Sequence, residues 1–152
     1  MGTLTLALSS PAATFELGKR LGAALREGDF VALLGELGAG KTLFVRGATE
    51  GAGAEPATSP SFALANLYRG GKVILEHLDL YRLSGAAELF ALGFDDMIAT
   101  AAATLCEWAD RAGPALPSDR LEVAFAVTGV EERSVRIVAH GPRAAELLAA
   151  LA

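Results

Sequence analysis

Hydrophobic and polar residues alternate with two different periods along the chain, which predicts strands interspersed with helices. Residues 3–9 (TLTLALS) alternate with the period of two that is expected of an edge strand. Ser10 followed by Pro11 is typical of a helix N-cap with proline at the first helical position. A helix is therefore predicted over about residues 11–26, with Gly28 as its C-cap.

The next part of the chain predicts a strand, a glycine-rich turn and a second helix. Residues 30–34 (FVALL) form a continuous apolar run between turn residues, which is typical of a strand buried on both faces. The segment GELGAGKT follows at 35–42, and a helix is predicted over about 41–50. Residues 51–61 (GAGAEPATSPS) then predict a loop, and loops of that length are often functional.

The second half of the chain predicts mainly strands. The runs FALANLYR and KVILEHLDLYR, on either side of Gly70 and Gly71, predict a β-hairpin. Because its second strand carries polar residues at 76 and 77, we expect that strand to be less buried than the others. The remaining predicted elements are short helices over 84–92 and 94–100, a buried strand over 102–108, strands over 121–127 and 133–139 around a turn at 129–132, and a helix over 142–152.

Composition sets limits on the class of protein. The chain has 152 residues, 52% of them hydrophobic, which predicts one domain over residues 1–152. No apolar run reaches the length that crosses a bilayer, and the first residues lack the charged leader of a secretory signal. We therefore expect a cytoplasmic protein with no membrane partner.

Charge and metal-binding residue types narrow the partners further. The formal net charge of −5 argues against a surface that binds DNA or RNA phosphates directly, so any RNA is expected to be contacted mainly by a partner protein. The single cysteine, Cys106, excludes an internal disulfide. With only His77 and His140 beside it, no zinc-ligand spacing occurs, and these three residues are assigned to packing or to the surface.

The segment at 35–42 matches the phosphate-binding motif G-x-x-x-x-G-K-[ST] between a predicted strand and a predicted helix. Such a loop directs backbone N–H groups and the positive end of the helix at phosphates. We expect a nucleotide and Mg²⁺ as ligands, with Lys41 against the β and γ phosphates and the Thr42 hydroxyl on the metal. The alternative is a glycine-rich turn with a stray lysine. The nucleotide-binding residues predicted in this segment are Gly35, Glu36, Leu37, Gly38, Ala39, Gly40, Lys41, Thr42 and Leu43.

Two acidic residues at predicted strand ends are candidates for the chemistry. Glu107 ends a buried run at the carboxyl edge of the sheet and is preferred as the magnesium carboxylate. Asp79 is interpreted as a catalytic residue that organises water or Mg²⁺. Their roles are interchangeable at this stage, and either residue alone has the alternative of a solvated strand-end carboxylate.

Three further features stay open between a functional and a structural role. Residues 58–61 (TSPS) follow the phosphate-loop helix as a segment sensing the γ phosphate would, or they form an ordinary turn. Trp108 either stacks near the nucleotide base or shields the site, although aromatic residues beside buried strands more often belong to the core, and the same applies to Tyr81. Arg82 is either an ion-pair partner or a phosphate contact.

Taken together in this order and spacing, the motifs resemble those of the TsaE family, bacterial ATPases needed to make N6-threonylcarbamoyladenosine at position 37 of tRNAs that read codons starting with A. The resemblance covers nearly the whole chain. The segments that carry it are AATFELG, GELGAGKT, SPSF, HLDLYRL, LGFDD and CEWADR. Two positions depart from the family pattern: Ser61 replaces the usual threonine, and Ala109 replaces a frequent proline.

The resemblance implies a fold, a set of site residues and partners. The fold is α/β, a single P-loop NTPase-like domain with a central mixed β-sheet flanked by helices on both faces. Asp79 and Lys41 would be catalytic, and Glu107 would be the second acid at the metal. Thr14 would lie on the base side of the nucleotide and Arg133 close to it. The implied partners are the TsaD and TsaB proteins, with tRNA reached through that complex.

Three function classes remain distinct at the level of sequence. The leading one is a Mg²⁺-dependent ATPase that is weak without its partners. Hydrolysis is favoured over phosphotransfer because the predicted elements leave no acceptor domain or lid that could enclose a second substrate. A small-molecule P-loop kinase and a nucleotide-binding regulatory module without catalysis are the alternatives.

Overall fold

Seven strands form one mixed sheet in the computed structural model, which describes residues 2–36, 38–55, 65–69, 71–81 and 102–152. The strands are β1 (Thr3–Leu8), β2 (Phe30–Leu34), β3 (Ala65–Tyr68), β4 (Ile74–Asp79), β5 (Ala102–Glu107), β6 (Arg120–Val127) and β7 (Arg133–His140). The α-helices of the described ranges are α1 (Pro11–Ala24), α2 (Lys41–Gly51) and α3 (Pro142–Leu151), and a 3₁₀ segment spans Ala109–Ala115.

The sheet order places the glycine-rich loop at the centre. The strands lie in the order β1-β7-β6-β2-β5-β4-β3. The four inner strands β6, β2, β5 and β4 are parallel, whereas β1, β7 and β3 join by antiparallel pairing. Strand β2 therefore has a neighbour on each side and helices or the 3₁₀ segment over both faces, which explains its uninterrupted apolar sequence.

Two hydrophobic clusters cover the two faces of the sheet. Helices α1, α2 and α3 pack on one face, against alternate strand residues such as Val31, Leu33 and Leu105. On the opposite face the 3₁₀ segment covers the other alternate residues, including Phe30 and Ala32. The predicted α/β fold with a mixed sheet is confirmed, and the described residues place helical segments on both of its faces.

The start of α1 agrees with the sequence, and its end does not. The Ser10 hydroxyl caps the helix by accepting a hydrogen bond from the Ala13 N–H at 3.2 Å. The prediction of Gly28 as C-cap is wrong, because the helix ends at Ala24 and Leu25 already has an extended backbone. Gly28 instead lies in the turn before β2, where its N–H donates to the Ala102 carbonyl at 2.9 Å.

The predicted hairpin is confirmed, although its burial was misjudged. Strands β3 and β4 pair antiparallel, with Tyr68 opposite Leu75. The expectation that β4 is less buried is wrong, since Glu76 and His77 are both buried. Both side chains find polar partners on neighbouring strands instead of water. His77 contacts Tyr68 and Glu107, and Glu76 accepts from the Thr104 hydroxyl at 3.4 Å.

Several predictions fall outside the described residues. They concern Leu37, the segment 58–61, Gly70, Arg82 and the two short helices predicted within 82–101. Over the ranges that the structure does describe, no helix is both long and apolar enough to span a bilayer.

Candidate functional site

The glycine-rich loop joins the carboxyl end of β2 to the first turn of α2 in a left-handed backbone conformation. Gly35, Gly38 and Gly40 have φ angles of 134°, 82° and 108°. Gly40 is the N-cap of α2 and, within the described chain, no side chain caps that helix end. The first N–H groups of α2 thus remain available to an anion, and the helix dipole adds positive potential there.

Residues distant in sequence fix the shape of this loop. A Cβ atom at Gly35 would lie 2.8 Å from the Phe125 carbonyl oxygen, and one at Gly40 would lie 3.4 Å from Cγ2 of Thr14. Arg133 donates from Nη2 to the Gly38 carbonyl at 3.4 Å. The structure therefore places Thr14 and Arg133 beside the loop.

Lys41 is the most buried charged residue of the loop. Its side chain is folded inward, so that Nζ donates to the Gly35 carbonyl and lies 3.7 Å from the centre of the Trp108 ring. Burial lowers the pKa of Lys41 below its ordinary value, and the nearby carboxylates of Glu107, Asp79 and Asp110 oppose that shift. The ammonium group therefore lies close enough to the two strand-end acids to interact with their charges.

The two predicted acids are direct neighbours in the sheet. Asp79 ends β4, Glu107 ends β5, and the two residues are register partners in parallel strands. Glu107 is 5% exposed, whereas Asp79 is partly exposed and its Oδ1 accepts the Tyr81 N–H at 3.0 Å. Both carboxylates therefore lie at the carboxyl edge of the sheet, the edge from which the glycine-rich loop also emerges.

His77, assigned from sequence to packing or the surface, lies against one of these acids. Its Nε2 is 2.5 Å from Oε2 of Glu107, and its Nδ1 is 3.4 Å from the Tyr68 hydroxyl. The signal in the sequence was the spacing of His77 and Asp79, because residues two apart on a strand share a face. A histidine that shares a face with a candidate catalytic acid belongs in the list of site residues.

Trp108 lies at the site, which bears on the question that the sequence left open. It has a φ of 57°, the single positive value among the non-glycine residues that the structure describes. This backbone turn directs the indole to Lys41, and the Tyr81 ring packs 5.1 Å from it. Tyr81 is 46% exposed, so the aromatic pair reaches the protein surface beside Lys41.

The residues present match the chemistry of a nucleotide with its magnesium ion. The loop offers backbone N–H groups and an ammonium group, and Thr42 stands in the first turn of α2 with its side chain partly exposed. Carboxylates and a hydroxyl are the oxygen ligands that Mg²⁺ prefers, and phosphate oxygens usually complete its coordination. Of the other loop residues, Glu36 is exposed, Ala39 is buried and Leu43 is partly buried.

Fold and site together define an α/β protein in which a glycine-rich loop follows a central parallel strand and leads into a helix. Comparison with known proteins narrows this class. A family model described as "Threonylcarbamoyl adenosine biosynthesis protein TsaE" matches residues 8–135. The chain belongs to the TsaE family.

Individual relatives agree with that assignment. The chain is 35% identical over 135 residues to the tRNA threonylcarbamoyladenosine biosynthesis protein TsaE of Bacillus subtilis, covering 88% of this chain and 84% of the relative. It is 41% identical over 136 residues to the TsaE protein of Streptomyces coelicolor, covering 84% and 91%. The crystal structure of Bacillus subtilis YdiB superimposes with a TM-score of 0.84 at 32% identity, covering 99% of this chain and 94% of YdiB.

Proposed function

We propose that this chain binds ATP with Mg²⁺ and hydrolyses it in support of N6-threonylcarbamoyladenosine formation at position 37 of tRNAs that read codons starting with A. The observation that carries the proposal is the convergence of the glycine-rich loop with Glu107 and Asp79 at one sheet edge. Family membership supports the pathway. The convergence supports the chemistry.

Each group at the site has a role in this proposal. The loop N–H groups and Lys41 hold the phosphates, which requires the Lys41 ammonium to exchange the Gly35 carbonyl for phosphate oxygens. Thr42 and Glu107 would hold Mg²⁺, whose bound charge offsets the charge that develops on the phosphate oxygens. Asp79, the more exposed acid, orients the attacking water. Thr14 and Arg133 line the nucleotide beside the loop.

The partners in this proposal are the TsaD and TsaB proteins, in the cytoplasm. With 18 acidic residues against 13 Lys and Arg, the chain has little attraction for an RNA backbone. The tRNA is therefore contacted through the partner complex. Hydrolysis is preferred to transfer to a metabolite because the elements predicted from the sequence include no acceptor domain or lid that could enclose a second substrate.

The test is ATP hydrolysis by the purified protein alone and with TsaB and TsaD from the same organism. We expect slow turnover alone and faster turnover with the pair. Lys41→Ala should lose nucleotide binding while keeping the native circular dichroism spectrum, whereas Lys19→Ala, which changes an exposed lysine of α1, should behave as wild type. A folded Lys41→Ala protein with normal turnover would contradict the site, and a competent pair that gives no stimulation would favour the kinase alternative.

A further inference from the structure

A row of three buried polar side chains crosses the strands next to the site. Tyr68 lies on β3, His77 on β4 and Glu107 on β5, and each is at most 5% exposed. We propose that His77, anchored by Tyr68, is a positioning residue that holds the Glu107 carboxylate in the orientation needed to bind Mg²⁺. This inference rests on the proposed function, because it takes Glu107 as a magnesium carboxylate.

The strand register brings the three side chains onto one face. Tyr68 is opposite Leu75, two residues before His77 on β4, and His77 is opposite Leu105, two residues before Glu107 on β5. Each polar residue therefore stands diagonally from the next on the same side of the sheet. The row runs obliquely across three strands and ends at the carboxyl edge, where the phosphate loop lies.

Hydrogen-bond chemistry gives the row a direction. A carboxylate can only accept, so Nε2 of His77 must carry the proton in its 2.5 Å contact with Glu107. In the neutral imidazole the other nitrogen, Nδ1, then accepts from the Tyr68 hydroxyl, 3.4 Å away. The bond to Nε2 uses one lone pair of Oε2, which leaves Oε1 of Glu107 available to a cation.

Burial leaves the His77 ring dependent on its two side-chain partners. His77 is 1% exposed, so neither nitrogen can replace a lost partner with bulk water. Hydrogen-bond partners of metal ligands fix the orientation of those ligands, and their mutation commonly weakens metal affinity or activity about 10- to 100-fold. A satisfied core histidine would show the same contacts, so the decisive measurements are those that respond to the orientation of Glu107.

Two substitutions at position 77 separate the ends of the row. Gln places an amide nitrogen where Nε2 stands, so His77→Gln keeps a donor for Glu107. Asn places its polar atoms near Nδ1, so His77→Asn keeps the contact with Tyr68 and loses the one with Glu107. Leu121→Ala is the matched control for loss of core packing. This fully buried residue is the second of β6, so it lies at the amino ends of the parallel strands, away from the site.

The readouts are the Mg²⁺ concentration for half-maximal ATP hydrolysis, Mn²⁺ affinity in the presence of ADP, and nucleotide affinity in EDTA. His77→Asn should raise the Mg²⁺ concentration for half-maximal hydrolysis and weaken Mn²⁺ affinity, each about 10-fold or more, and should leave nucleotide affinity in EDTA unchanged. His77→Gln should bring the Mg²⁺ requirement and the Mn²⁺ affinity close to the wild-type values. Tyr68→Phe, which keeps the ring, should give a smaller shift in the same direction. Equal effects of His77→Asn and His77→Gln on metal binding would overturn this inference without affecting the proposed function. An effect of His77→Asn no larger than that of Leu121→Ala would do the same.

Nitrogen-15 NMR of the imidazole gives a test that needs no turnover and no variant that must fold. The nucleotide-free wild-type protein should show a proton on Nε2 of His77, the nitrogen that faces Glu107. An Nε2 without a proton would overturn the inference by itself. A wild-type protein that binds no nucleotide would overturn the proposed function, and the inference with it.

Discussion

The crossing of α1 and α2 gives a quantitative prediction for the helix packing behind the glycine-rich loop. A Cβ atom at Gly22 of α1 would lie 1.9 Å from the Ala48 carbonyl oxygen of α2, and one at Gly18 would lie 2.1 Å from the Phe44 carbonyl oxygen. Both neighbours are backbone atoms, which cannot move without moving the helix. Gly22→Ala therefore has to push the two helices apart.

The expected loss of stability is the balance of two terms. Ordinary contact begins at 3.4 Å, so the backbones must separate by about 1.5 Å, the difference between 3.4 and 1.9 Å. Overpacking of this kind costs up to about 3 kcal/mol. Replacing glycine by alanine within a helix returns about 1 kcal/mol. Gly22→Ala should therefore lower the free energy of unfolding by about 2 kcal/mol, taking the upper packing cost.

The assay is urea unfolding followed by circular dichroism, with free energies obtained by linear extrapolation. Ala23→Gly, at an exposed position of the same helix, measures the propensity term separately and should cost about 1 kcal/mol. If Gly22→Ala proves as stable as wild type or more so, then the propensity gain is unopposed. The close crossing of the helices would then be refuted.

A double variant tests whether helix separation is the cause. A Cβ atom at Gly47 of α2 would lie 2.1 Å from the Phe15 carbonyl oxygen of α1, so Gly47→Ala forces the same separation from the other helix. Once one substitution has moved the helices apart, the second meets less resistance. The combined loss should thus be smaller than the two single losses added, whereas additivity within about 0.5 kcal/mol would indicate independent local strain.

Three further predictions concern the site and the core. Asp79→Ala should lower ATP turnover by about 100-fold or more while ATP affinity, measured by calorimetry, changes little; loss of binding with turnover intact at saturating ATP would contradict its role. Gly35→Ala combines a φ of 134° with a 2.8 Å contact to the Phe125 carbonyl, so nucleotide affinity should fall about 10-fold, and unchanged affinity would show that the loop tolerates a Cβ atom. Burial raises the pKa of the Cys106 thiol, so a disulfide reagent should label it in urea and not in the native protein, and rapid native labelling would contradict its burial.

Local patterns in the sequence predicted the elements near the loop well. The apolar run at 30–34 predicted a strand with neighbours on both sides, and β2 lies between β5 and β6. The Ser10 and Pro11 pair predicted the start of α1, since both a cap and a proline at the first position act within a few residues. These successes share a cause, because each depends on interactions within a short stretch of chain.

The errors concern properties that depend on what packs against an element. Glu76 and His77 are polar residues in the sequence, yet both are buried, because side chains of neighbouring strands supply their hydrogen-bond partners. Glycine is the residue type expected after a helix, which led to the prediction of Gly28. The helix instead ends before Leu25, whose side chain is buried in the hydrophobic cluster between the helices and the sheet. A short stretch of sequence specifies neither the position of a strand in its sheet nor the tertiary packing of a side chain in the core.

The candidate site combines both kinds of information. The motif at 35–42 identifies the loop, but its conformation depends on contacts with Phe125 of β6, Thr14 of α1 and Arg133 of β7. These residues lie 20 to 100 positions away, so a chance copy of the motif elsewhere would lack the same support. The Glu107 carboxylate has the same character, because its side-chain contact is with His77 on the neighbouring strand. The fold thus supplies the geometry that turns a glycine-rich turn and two strand-end acids into one site.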